Sequence, residues 1–222
     1  MAAELGRRPC VVHEGVAALL ELRAKGIPPE LLIQSAQSGF VERLNAEPPF
    51  DPTTAAGTDA WRYPVRSLRK GFAGLGWRLD DVRNLPLVIS DEQQINITVS
   101  SGDEYTGIDS QRHPRTKNTK GVLMEEAVFR NVGQLDLFAN ELPEAIRMFS
   151  QTIKYQTWVF LLFITDEEIR AELSLPSVMG NDHVIWWDER ILLSVPLPGA
   201  ESDDEIDYDE GPDIRPIVTP KI

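Results

Sequence analysis

The sequence predicts an α+β fold: N-terminal helices, then a mainly antiparallel sheet of about five strands, then an acidic disordered C-terminal tail. Three observations predict it. Apolar residues recur every four positions before Trp77, they alternate with period two after it, and seven acids crowd the stretch Glu201–Glu210. The expected organisation is a helical segment over 1–76 and an antiparallel sheet with an inserted loop and helices over 77–199. These two form one domain, and 200–222 is the acidic, proline-containing tail.

The first helix is expected over about 13–25, with Val16, Leu19 and Leu20 on its apolar face and Gly26 as its stop. Pro28 and Pro29 suit the first turn of the second, where a missing N–H costs nothing. Its apolar positions are Leu32, Ala36, Phe40 and Leu44, and the linker Pro48-Pro49-Phe50-Asp51-Pro52 ends it. Thr58 or Asp59 can cap a third helix, whose stripe is Trp61, Val65, Leu68 and Phe72. Arg62, Arg66, Arg69 and Lys70 lie beside that stripe, a face able to meet phosphates, to stay solvated, or to dock against acids of the same chain.

Leu85–Ile89 and Ile95–Val99 flank a polar turn and read as a β-hairpin. Ser100–Lys120 reads as a long polar surface loop, residues 122–132 as a helix, and Pro143–Gln151 as a further short one. Trp158–Ile164 is a continuous apolar strand. Ile169, Ala171, Leu173 and Leu175 alternate with Arg170, Glu172 and Ser174, the pattern of a half-buried strand. A turn at Gly180-Asn181-Asp182 leads to a last strand, Val184–Val195.

Composition narrows the function classes. With 222 residues, 42% hydrophobic and 26% charged, the chain can bury a substantial core. The longest strongly apolar run, Trp158–Ile164, is too short to span a bilayer, and no long apolar stretch follows Arg7-Arg8, so no membrane span or signal peptide is expected. Cys10 is the single cysteine, which excludes an internal disulfide and a Cys-based zinc site and makes a cytoplasmic setting the expectation. The net charge of -13 is uneven: residues 1–120 carry 15 basic and 15 acidic side chains, residues 121–222 carry 7 and 20. Such an acidic block is usually solvated, and it can also imitate nucleic acid on a basic surface.

The sharpest motif is Gln134-Leu135-Asp136-Leu137-Phe138. All five positions resemble the Gln-Leu-(Ser or Asp)-Leu-Phe linear motif with which bacterial polymerases and repair factors hold the replication sliding clamp. The resemblance implies that Leu137 and Phe138 fill an apolar pocket, Leu135 rests beside it and Gln134 hydrogen-bonds at the rim. It covers five residues and implies nothing about the fold. The competing reading is core packing, with Met124, Val128, Leu135 and Phe138 on one face of a continued helix.

Catalytic signals are sparse. Asp80, Asp81, Asp91, Glu92, Asp103, Glu104, Asp109 and Glu172 are acids that a divalent metal could gather. Glu92-Gln93-Gln94 resembles the Glu-x-Lys element of restriction-type nucleases, but the lysine is absent. His13, His113 and His183 show no metal-ligand spacing, and no Walker loop, nucleophile elbow or dinucleotide fingerprint is present. The expectation is therefore a non-enzymatic interaction protein of bacterial or phage DNA replication, repair or defence, without cofactor or metal. The sliding clamp is its named partner, a contact with nucleic acid stays open, and the alternatives are an acidic inhibitor or DNA-mimicking decoy and a metal-dependent nuclease or toxin.

Overall fold

The computed structural model describes residues 9–133 and 155–199. In chain order its elements are β1 (Val11–His13), α1 (Gly15–Ala24), α2 (Pro29–Leu44), α3 (Ala55–Gly74), β2 (Arg78–Val82), β3 (Leu85–Ser90) and β4 (Ile95–Ser101). They continue with α4 (Val122–Asn131), β5 (Gln156–Ile164), β6 (Ile169–Gly180) and β7 (His183–Leu193). The predicted tail over 200–222 and the predicted helix over Pro143–Gln151 lie outside the described residues.

The expectation of a mainly antiparallel sheet of five strands is corrected. The strands form one mixed sheet of seven, in the order β1-β7-β6-β5-β4-β3-β2. β4 runs parallel to β5, with Ile97 opposite Trp158, and β1 runs parallel to β7, with Val12 opposite Arg190. Parallel neighbours need a long crossover, and the chain between Ser101 and Gln156, which carries α4, supplies one. The two strands missed lie at the two edges of the sheet. β2 reads Arg-Leu-Asp-Asp-Val, whose charges hide the alternation, and β1 has three residues, too few to show a period.

The tight turns follow local chemistry. Arg83-Asn84 joins β2 to β3 and Asn181-Asp182 joins β6 to β7, each pair at positive φ (46° and 67°; 48° and 61°), the geometry that matches strand twist.

Helices cover both faces. On one, α1–α3 pack Leu22, Leu32, Phe40, Leu68 and Phe72 against Ile97, Trp158, Phe160, Leu173 and Ile191. The other carries α4, whose Met124, Ala127 and Val128 meet Val159, Leu161, Val184 and Trp187. α2 and α3 cross closely at Gly39, where an added Cβ would stand 2.5 Å from Cγ of Pro64. Only a residue without a side chain fits that approach.

The predicted stripe of α1 is also corrected. Ala18 and Leu22 are its buried positions, whereas Val16 and Leu20 are 73% and 61% exposed. α1 is apolar on both sides, so periodicity alone cannot choose its inner face. Leu44 is likewise exposed at the end of α2, and α3 begins at Ala55, ahead of the expected caps Thr58 and Asp59.

Candidate functional site

Gln134, Leu135, Leu137 and Phe138 lie outside the described residues, but what leads into and out of them is defined. α4 ends at Asn131, and Gly133 follows at φ 71°, a left-handed residue of the kind that stops helices. The continuous helix that would put Leu135 and Phe138 in line with Met124 and Val128 therefore stops before the motif. Asn131 is buried, and its side-chain amide donates to the carbonyls of Thr157 (2.9 Å) and Pro176 (3.0 Å). Its side-chain oxygen accepts from the Thr157 N–H at 2.9 Å. These bonds fasten the end of α4 to the start of β5, so the chain departs from and returns to one point on the sheet.

The basic face of α3 is partly neutralised within the chain. Arg62 pairs with Asp59 and Arg69 with Asp81, both at 2.8 Å. The hydrogen bond from Arg69 holds the Asp81 carboxyl below its ordinary range. Arg66 and Lys70 have no ion partner among the described residues and line a groove between α2 and α3, opposite Leu31, Gln34 and Ser38. Its volume is about 370 Å³.

The acids proposed to gather a metal are dispersed. Asp80 and Asp91 both approach Arg78 (3.5 Å each), Asp91 also accepts from the Tyr155 hydroxyl at 2.9 Å, and Asp103 lies 4.0 Å from Arg115. None of them joins a potential ligand cluster among the described residues. Glu172, expected on the solvated face of β6, is fully buried beside Arg190. One Glu172 oxygen accepts from Arg190 Nε (3.0 Å) and the Ser174 hydroxyl (2.7 Å); the other accepts from Arg190 Nη2 (2.5 Å) and the Gly107 N–H (2.8 Å). Nη2 also donates to the Ile108 carbonyl at 3.0 Å. The loop that joins β4 to α4 is thus packed on the sheet, and Trp187 Nε1 donating to Pro114 (2.7 Å) fixes it further.

Two constellations have no sequence signature. His13, Glu21 and Glu189 bring their ligand atoms within 4.8 Å of one another. They are the residues there that could hold a cation, but Lys25 already supplies the charge. Its ammonium is 2.7 Å from Glu21 and 3.4 Å from Glu189 and stands 4.6 Å above the Trp158 ring. The Lys25 hydrogen bond lowers the pKa of Glu21. The other two histidines are placed by the His113 ring packing at a tilt of 49° against Trp186, centroids 4.0 Å apart, and by His183 Nδ1 contacting the Thr116 carbonyl at 2.6 Å. A cavity of about 530 Å³ lies between Trp61, Leu85, Val99 and the start of α4, and burial depresses the pKa of Lys120 on its wall.

Among the described residues, no helix is long and apolar enough to cross a membrane. Comparison with protein-family models, curated proteins and solved structures finds no match.

Proposed function

We propose that this chain is a non-enzymatic interaction protein of bacterial or phage DNA metabolism that holds the replication sliding clamp through residues 134–138. The observation that carries the reading is the five-residue match immediately after the helix stop at Gly133. A linear motif needs a segment that is not part of a helix packed on its own domain, because its anchors must enter the partner's pocket. The termination of α4 and the Asn131 fastening to β5 support that requirement. Leu137 and Phe138 are the anchors, Leu135 flanks them and Gln134 sits at the rim. The cytoplasm, where the clamp encircles DNA, is the matching compartment. The dispersal of the candidate acids favours binding over metal-dependent cleavage.

Purified bacterial clamp is the probe. Immobilised full-length chain should retain it, and the variant carrying Leu137→Ala and Phe138→Ala should lose it while keeping the wild-type melting curve. Equal retention by a folded variant removes the proposal. Failure of the variant to fold would make these side chains core residues, which also removes it.

A further inference from the structure

The last described residues pass α2, one wall of the α2/α3 groove, on the β7 side of that helix. Gln37 on α2 donates its amide to the carbonyl of Pro196 at 2.9 Å, which ties the chain to the helix whose Gln34 and Ser38 line the groove. Across the groove stand Arg66 and Lys70, the two cations of the α3 face that lack an ion partner among the described residues. Five residues beyond Pro196 the sequence Glu-Ser-Asp-Asp-Glu-Ile-Asp-Tyr-Asp-Glu begins at Glu201, with seven carboxylates and no cation.

We propose that the α2/α3 groove is the docking site of this chain's own acidic segment, residues 201–210. The chain has to cross α2, about 10–12 Å wide with its side chains, and its length suffices. An extended chain covers ~3.3–3.6 Å per residue, so about 17 Å of chain separates Pro196 from the first acid, and each later acid reaches further. Charge favours the match, since the segment is purely anionic and the groove's charged residues, Arg66 and Lys70, are both cationic. Single exposed ion pairs are weak. Tethering changes the balance, because a connection of a few residues holds the acids near the groove at an effective concentration on the order of millimolar. Leu31 and Tyr63 also line the groove, an apolar lining for Ile206 or Tyr208 of the segment. The docked acids would keep other polyanions off α3, an internal brake on nucleic-acid contact through that face. The inference rests on α2, α3 and the exit of the chain, and is independent of residues 134–138.

The test uses the full-length chain and a zero-length carbodiimide, which joins lysine amines to carboxylates in contact. The chain has six lysines, so the products are few. The Lys25–Glu21 pair, at 2.7 Å, serves as the internal reference. The expected result is an intramolecular link from Lys70 to a carboxylate within 201–210. Relative to the reference, it should fall about tenfold in 1 M salt, where the screening length shrinks to ~3 Å. It should fall similarly in Arg66→Glu, an exposed position whose change leaves the core intact. Absence of a Lys70 link, or a link unaffected by salt, overturns the proposal. So does a link found only between isotopically distinct copies, which would make the occupant a second molecule. A further variant has the seven carboxylates changed to amides. If a single-stranded oligonucleotide binds it no better than the wild type, the brake does not exist; stronger binding by that variant supports it.

Discussion

Removing the Glu172 carboxylate should be among the most damaging single changes in the described fold. Both Glu172 and Arg190 are at 0% exposure, and Glu172 accepts from Arg190, Ser174 and the Gly107 N–H. Glu172→Ala leaves the Arg190 guanidinium buried without its counter-charge, for which a loss of about 3–5 kcal/mol is expected. A loss of that size should move a urea midpoint by on the order of 1–2 M, given the slope of about 3 kcal/mol per molar expected for a chain of this size. Arg190→Met should cost a similar amount, since it strands the carboxylate. The double variant Glu172→Ala plus Arg190→Met should cost clearly less than the sum, because no unpaired charge remains. Some loss will persist, since the Gly107 N–H and Ile108 carbonyl lose partners. Urea unfolding of the four proteins measures the coupling. A single-variant loss below about 1 kcal/mol, the range of exposed ion pairs, would refute the reasoning, as would strictly additive losses.

Gly39→Ala should destabilise by about 1–3 kcal/mol, because the overpacking against Pro64 outweighs the gain in helix propensity; thermal melting checks it. Asn131→Ala removes three hydrogen bonds and should cost about 1–3 kcal/mol, with faster amide exchange at Thr157 measured by hydrogen exchange. Burial pushes the Cys10 thiol up to about 11, above its ordinary 9.0, despite the opposing pull of Arg190. Alkylation should therefore be slow at pH 8 and keep rising with pH until above about 11. Because the folded thiol ionises later than the unfolded one, its contribution is complete below 9.0 and is lost as pH rises toward 11. Alkaline unfolding compared with Cys10→Ala reads that difference.

The helical period of the apolar residues located α2, α3 and α4, and apolar runs bounded by turn residues located the β3–β4 hairpin and β5–β7. Partner choice was not legible. Parallel pairing of β4 with β5 depends on a crossover, and β1 joins β7 across most of the sequence, Val11 lying opposite Glu189. Alternation also misread Glu172 and Ser174 as solvent-facing. The second face of the sheet is covered by a loop whose polar sequence hides that it packs. The Lys25–Glu21–Glu189 cluster had no signal beyond an i, i+4 pair, because Glu189 arrives through the tertiary fold. For the candidate site, the motif itself is a five-residue pattern, and the helix stop before it was legible in Gly133. The fastening of both flanks through Asn131 was not, since an asparagine late in a helix gives no hint of its partners.

The central claim is tested most directly by titrating purified bacterial sliding clamp with the full-length chain in a calorimeter. Saturable binding is predicted, displaced by a free peptide containing residues 134–138. It should weaken by roughly 30-fold or more on Leu137→Ala with Phe138→Ala, since anchors of this kind carry about 2 kcal/mol or more. Absence of binding, or an affinity unchanged in the folded double variant, would contradict the account.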